Sequence, residues 1–362
     1  MLRKSSLLIP LLILLFIFLI FTIDNASAFK KKKQLEPLPA VDSPKENPTT
    51  PEKVELGKKL FFDRRLSGDG TTSCASCHDP EKAFTDGAEI SLSYPTTRNF
   101  RNAPTLINSA FAKSLFWDGR AKSLEEQAEF PIMSPFEMNQ NLDFVEEEIR
   151  IVPEYRDAFK KVFGEDVNIK LIAKAIAAFE RTLVSKNAPI DRYLKGDKTV
   201  LSDEAKRGLE LFTGKAKCID CHYGAYLSDH KFHALMVPEN PKYANEDKFI
   251  VTRRYVAKIN KYPDYGNIKE DLGRYFKTKK KEDYKAFKTP TLREVAKTAP
   301  YMHNGIFKSL DEAIEFFNKG GGEGNKVLKP LNLTEDEKRA LKRFLVEALS
   351  GEDLNIKPTQ VP

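Results

Sequence analysis

The chain has 362 residues, 59 lysines and arginines against 52 aspartates and glutamates for a net charge of +7, and four cysteines. Much of that small surplus sits in Lys30 to Lys33 and in KTKKKEDYK at 277–285, the latter read as a solvated loop, with a docking patch as the alternative. With so few cysteines, any thiol chemistry is confined to two places in the sequence.

In chain order, MLRKSS is followed by the apolar LLIPLLILLFIFLIFTI at 7–23 and by ASA at 26–28, the pattern of a secretory signal cleaved after Ala28. The run is long for a signal and marginal for a span, so an uncleaved anchor is the alternative, with Lys30 to Lys33 then beside anionic lipid. Either way the body of the protein lies outside the cytoplasmic membrane, away from nucleic acid, and membrane contact depends on retention of residues 1–28. Residues 29–50 read as a linker, since the stretch from Leu35 up to and including Pro51 holds five prolines. The remaining residues, about 300, suffice for two modest domains, at 51–195 and 196–351, before a short tail at 352–362. An internal likeness supports that count: LGKKLF at 56–61 and RGLELF at 207–212 are two short helices, each followed by a cysteine motif.

Those motifs are CASCH at 74–78 and CIDCH at 218–222, so every cysteine belongs to a Cys-x-x-Cys-His unit. From the chain's own frequencies one such unit should arise by chance with a probability on the order of 10⁻³. A zinc ribbon wants its pairs about 15–20 residues apart and leaves the histidines unexplained, and a dithiol oxidoreductase wants a strand and helix around one pair. The pattern is that of covalent c-type haem attachment, twice. Elsewhere helices dominate. NIKLIAKAIAAFERTLVSK at 168–186 repeats Ile169, Ile172, Ile176 and Phe179 along one stripe, SLDEAIEFFNKGGG at 309–322 opens on a serine cap and stops in glycines, and LTEDEKRALKRFLVEALSG at 333–351 is capped by Thr334. The expected fold is mainly α, two cytochrome c-like haem domains in tandem, with little β.

The segments LGKKLFFDRRLSGDGTTSCASCHDPEKAFTDG, RNAPTLINSAF, FWDGRAKSLEEQA, FERTL, DRYL and KTPTLREVAKTAPYMHNG resemble those of bacterial dihaem cytochrome c peroxidases, a superfamily that includes the MauG-type oxidases. The resemblance implies that His78 and His222 are proximal iron ligands and that Cys74, Cys77, Cys218 and Cys221 hold two haems as thioethers. It implies that the first haem meets hydrogen peroxide beside Gln127, Pro131 and Glu137, with Glu137 moving protons and Gln127 holding the peroxide by hydrogen bond. Read without it, Glu137 and Gln127 are ordinary polar residues of a charged stretch. Trp117, the single tryptophan, matches a residue that helps electrons pass between the haems, and is on its own merely a core residue. Asn102, Thr298 and Pro300 match oxygen donors for calcium.

Two departures stand out. No histidine occurs between His78 and His222, so none from its own domain can cap the first iron; Tyr94 is the one weak substitute, and the site is expected open without reductive activation. Fourteen residues after His303, where the family places a methionine or tyrosine ligand for the second iron, stands Phe317. Met236, Met302, His230 and His233 are the stand-ins, with a five-coordinate iron otherwise; His303 is expected near a propionate. The implied activity is a periplasmic peroxidase fed by a small c-type cytochrome or cupredoxin, an acidic one by charge, in a chain that inclines to homodimers. The alternatives are a MauG-like oxidase that modifies a protein partner and a dihaem electron carrier without peroxide chemistry.

Overall fold

The structure, a computed structural model, describes residues 33–362; the signal or anchor at 1–28 and Lys30 to Lys32 lie outside the described residues. Helix α1 (Pro51–Phe62) opens where local chemistry dictates, with Thr50 accepting from the Lys53 amide and Pro51 in the first turn, where a missing N–H costs nothing. The single turn α2 (Cys74–Cys77) carries the first motif. After an irregular stretch come α3 (Leu124–Met133), α4 (Leu142–Arg150), α5 (Pro153–Phe163) and α6 (Ile169–Glu180). The second half holds α7 (Pro189–Leu194), α8 (Asp203–Thr213), α9 (Asp247–Ile259), α10 (Tyr275–Thr278), α11 (Leu310–Asn318) and α12 (Glu335–Ala348). The antiparallel pair β1 (Phe232–His233) and β2 (Phe287–Lys288) forms the one sheet among the described residues, as expected of a mainly α chain.

The caps follow the sequence: Ser309 accepts from the Glu312 amide, and Thr334 and Glu337 form a reciprocal capping box. The stripe at 168–186 does not stay helical throughout. Helix α6 ends at Glu180 because the backbone is then drawn sideways by Asn108, whose amide donates to Leu183 and whose side-chain oxygen accepts from Ser185.

Beside smaller clusters around Phe249 and Ile268, two main apolar cores result, one from Leu56 to Leu183 and one from Ala188 to Leu349 joined by Leu35. Their construction repeats. Gly57 of α1 lies so close to α6 that an added Cβ would stand 1.9 Å from the Ala175 carbonyl, and Gly208 of α8 meets the Ala340 carbonyl of α12 at 2.0 Å. One turn further on, Phe61 packs on Phe179 with ring centroids 5.2 Å apart and Phe212 on Phe344 at 5.3 Å. The short likeness between LGKKLF and RGLELF is thus the same helix crossing made twice.

Residues 35–50 carry no regular helix or strand, as a proline-rich linker would, but they are strapped down. Leu35 is buried in the second core, the Leu38 amide donates to Asp191, and Asn47 bonds Glu125 and the Lys174 carbonyl in the first half. The tail returns as well, with Leu354 and Ile356 against the first core. From Leu35 to the C-terminus the chain is accordingly one compact unit.

Candidate active site

Each proximal histidine is oriented by its own loop. His78 donates Nδ1–H to the Phe84 carbonyl at 3.0 Å and His222 donates to Leu227 at 2.9 Å, which leaves both Nε2 atoms for a metal. Burial lowers the pKa of both rings, favouring the neutral form that coordinates iron. The repeat continues behind them: Thr105 Oγ1 donates to Ala83 at 2.6 Å and Thr291 Oγ1 to Tyr226 at 2.6 Å, bracing the two histidine loops alike. The cysteines are unbridged, and burial pushes Cys77 and Cys218 up to about 12, the opposite of an activated redox thiol. Cys74, Cys77, His78, Cys218, Cys221 and His222 are largely enclosed by protein without being fully buried, as side chains lining a flat group held by two thioethers and one imidazole would be. The donor set fits c-type haem in both halves.

Gln127 and Pro131 lie on α3, and Glu137 lies in the turn after it, its amide donating to Ser134 at 3.0 Å. Gln127 and Pro131 stand one helical turn apart, and Pro131, lacking an N–H, leaves the Gln127 carbonyl without its helical partner. The Met138 amide then donates to the Pro131 carbonyl at 3.1 Å, folding Glu137 back beside the helix end. Burial raises the Glu137 pKa, against the guanidinium groups of Arg120 and Arg101 that pull it down, while Asp118 pushes it further up. Tyr94 belongs to the same neighbourhood, since its amide donates to Phe136 at 3.3 Å. It lines an open depression of about 420 Å³ that also touches Ser76 inside the first motif.

Trp117 sits at the seam between the two cores. Its indole Nε1–H donates to the Asn102 carbonyl at 2.9 Å and its ring meets His303 edge-on at 6.5 Å. The seam is closed by a reciprocal exchange, with the Asn102 amide donating to His303 and the Lys288 amide to Trp117, both at 2.8 Å. Asn102 also gives its side-chain N–H to Ala88 at 2.7 Å, leaving Oδ1 as an acceptor. Thr298 and Pro300 lie on the strand of chain that leads to His303, with Thr298 closing the turn at Val295–Lys297.

Of the stand-ins for a ligand at Phe317, two histidines are engaged on the motif side. His233 Nε2 is held by Asp229 at 2.8 Å, close to Cys221, which raises its pKa to about 9, and His230 stacks on Tyr226 at 5.3 Å. His303 is buried against Phe287 with centroids 3.6 Å apart, and burial lowers it to about 3, so it is neutral. Met236 sits at φ +53° against the glycine turn after α11, where a Cβ on Gly322 would strike its carbonyl at 1.7 Å. Met302 sits at φ +72° beside His303 in sequence.

The charges of the seam come from positions far apart in the sequence. Arg101 grips Asp271 at 2.6 and 2.9 Å and Asp118 at 2.7 Å, and Arg120 bonds Asp118 at 2.9 Å while lying 3.4 Å over the Phe116 ring. Burial alone would raise Asp271, but Arg101 holds it far below the ordinary carboxylate range. Nothing local marks these charges: DGRAKSLEE at 118–126 and NGIFKSLDE at 304–312 share one pattern, with Ser123 and Ser309 capping the helices that follow, but Asn304 and Ile306 stand where the first copy has Asp118 and Arg120.

A family model described as di-haem cytochrome c peroxidase matches residues 51–199. The cytochrome-c peroxidase IdrP1 of Pseudomonas sp. (strain SCT) is 45% identical over 87% of this chain and 85% of its own. The methylamine utilization protein MauG of Methylorubrum extorquens is 38% identical over 89% and 85%. A crystal structure of a MauG-like protein associated with microbial copper homeostasis superposes with a TM-score of 0.74 at 30% identity, covering 92% of this chain and 98% of that one.

Proposed function

Because this chain belongs to the dihaem cytochrome c peroxidase family, as its 45% identity to IdrP1 shows, we propose that it is an exported, periplasmic peroxidase that reduces hydrogen peroxide to water with electrons from a small c-type cytochrome or cupredoxin. The balance is one peroxide, two protons and two electrons in, two waters out, with two donor molecules each oxidised by one electron. A haem bound in the first half would supply a redox-active iron for cleavage of the peroxide O–O bond. His78 would hold that iron through Nε2, its other nitrogen being tied to the Phe84 carbonyl. Gln127 holds the peroxide by hydrogen bond without titrating. Glu137 accepts a proton from the nearer peroxide oxygen and returns it to the departing one. His222 holds the second haem, and Trp117, in contact with both halves, lies on the route between them. Asn102, Thr298 and Pro300 would hold a calcium that stiffens this seam, with Asn102 Oδ1 as the side-chain donor.

The observation that supports the reading is the placement of Glu137: a carboxyl whose pKa burial raises, in a turn folded back onto Pro131 at the end of the helix that carries Gln127. Steady-state turnover of peroxide with a reduced small cytochrome tests it, and slow turnover with protein oxidation instead would favour a MauG-like oxidase. That second reading draws on the 38% identity to MauG and on Phe317. A dihaem carrier without catalysis would show two low-spin irons, neither perturbed by peroxide.

A further inference from the structure

We propose that the outer face of α9 is the docking surface for the electron donor, and that this donor is a small acidic redox protein. The inference rests on the peroxidase reading and adds the place and chemistry of the partner. Helix α9 buries Phe249, Thr252, Arg253 and Ala257, which leaves Val251, Tyr255 and Ile259, one turn apart in series, as an apolar stripe 62%, 40% and 56% exposed. Large apolar side chains aligned on an outer helix face mark an interaction site rather than scattered surface residues.

Charge identifies the partner. Between residues 239 and 288 there are fourteen lysines and arginines against eight aspartates and glutamates, a surplus of six in a chain whose whole net charge is +7. Lys248, Lys258 and Lys261 flank the stripe, are exposed, and form no ion pair among the described residues. The exposed acids near them are Asp247 and Asp264. A second copy of this chain would bring like charges together, whereas an acidic rim would meet opposite ones. The stripe also communicates with the site. Tyr255 meets Phe136, the neighbour of Glu137, at 6.4 Å, and Phe136 meets Phe100 at 6.1 Å. The Arg101 guanidinium bridges Phe100 at 4.9 Å and Phe287 at 5.7 Å, and Phe287 lies on His303, which meets Trp117. A donor seated on α9 therefore delivers its electron over the seam of the two halves, twice for each peroxide.

The test uses the haem-loaded protein and a pair of ferrous c-type cytochromes of opposite net charge. Peroxide turnover by the unaltered enzyme with ABTS as reductant comes first, since its absence would remove the peroxidase reading itself. With turnover established, Lys258→Glu combined with Lys261→Glu should raise KM for the acidic cytochrome by about tenfold with kcat little changed, and flatten its dependence on ionic strength. An unchanged KM and salt slope overturns the proposal. It is also overturned if Val251→Asp splits a dimer in sedimentation without altering KM, because the stripe then belongs to a second copy.

Discussion

Replacing Glu137 by Gln keeps the shape of a side chain that protein encloses on most sides and removes only its capacity to carry a proton. General acid and base catalysis by one positioned group contributes roughly 10²–10⁴-fold, so kcat/KM for peroxide should fall by that factor, about 3–5 kcal/mol of barrier. Burial raises the Glu137 pKa, so its basic form is lost at a higher pH than for an exposed carboxylate. The sign follows: activity falls as pH drops through that raised value, and the acid limb of the wild-type profile lies above the ordinary carboxylate range. Arg120 is the first of the charges that hold the value down. Arg120→Gln should therefore move the limb to higher pH by about one unit, since removing a nearby opposite charge favours the protonated acid. Stopped-flow measurement of peroxide reduction from pH 4 to 9 reads both effects. A Glu137→Gln enzyme within about threefold of the parent, or a limb that stays put in Arg120→Gln, would refute the reasoning.

Three further outcomes are expected. Phe317→Met should restore a sulfur ligand at the second haem, visible as a low-spin spectrum with a raised reduction potential; a spectrum identical to the parent's would show that this side chain does not face the iron. Burial lifts Glu180 to about 8 with its Oε2 lacking a hydrogen-bond partner, so its contribution to stability worsens as pH climbs from the unfolded carboxylate value through 8. Glu180→Gln should consequently raise the melting temperature at pH 8–9 and do little at pH 4, and equal shifts at both would contradict it. Gly57→Ala and Gly208→Ala each force a methyl onto a carbonyl at 1.9 and 2.0 Å, at a cost of roughly 1–3 kcal/mol or more in thermal unfolding, and equal stability to the parent would mean that the crossings can spread freely.

What the sequence determined by itself was the chemistry written within a few residues. Both haem-binding units, the serine and threonine caps, and the Gln127–Pro131–Glu137 spacing are local, because thioether attachment, helix capping and one helical turn all act over short separations. The tertiary structure decided what depends on the chain returning to itself. Arg101 and Asp271 stand 170 residues apart in sequence and 2.6 Å apart in space, and no local pattern announces that pair. Helix α6 stops at Glu180 because Asn108 draws the following backbone away, and the proline-rich segment from Leu35 is held down by groups from both cores. The proton affinity of Glu137 likewise belongs to the fold, since burial and the guanidinium groups around it, not its own identity, set where it titrates.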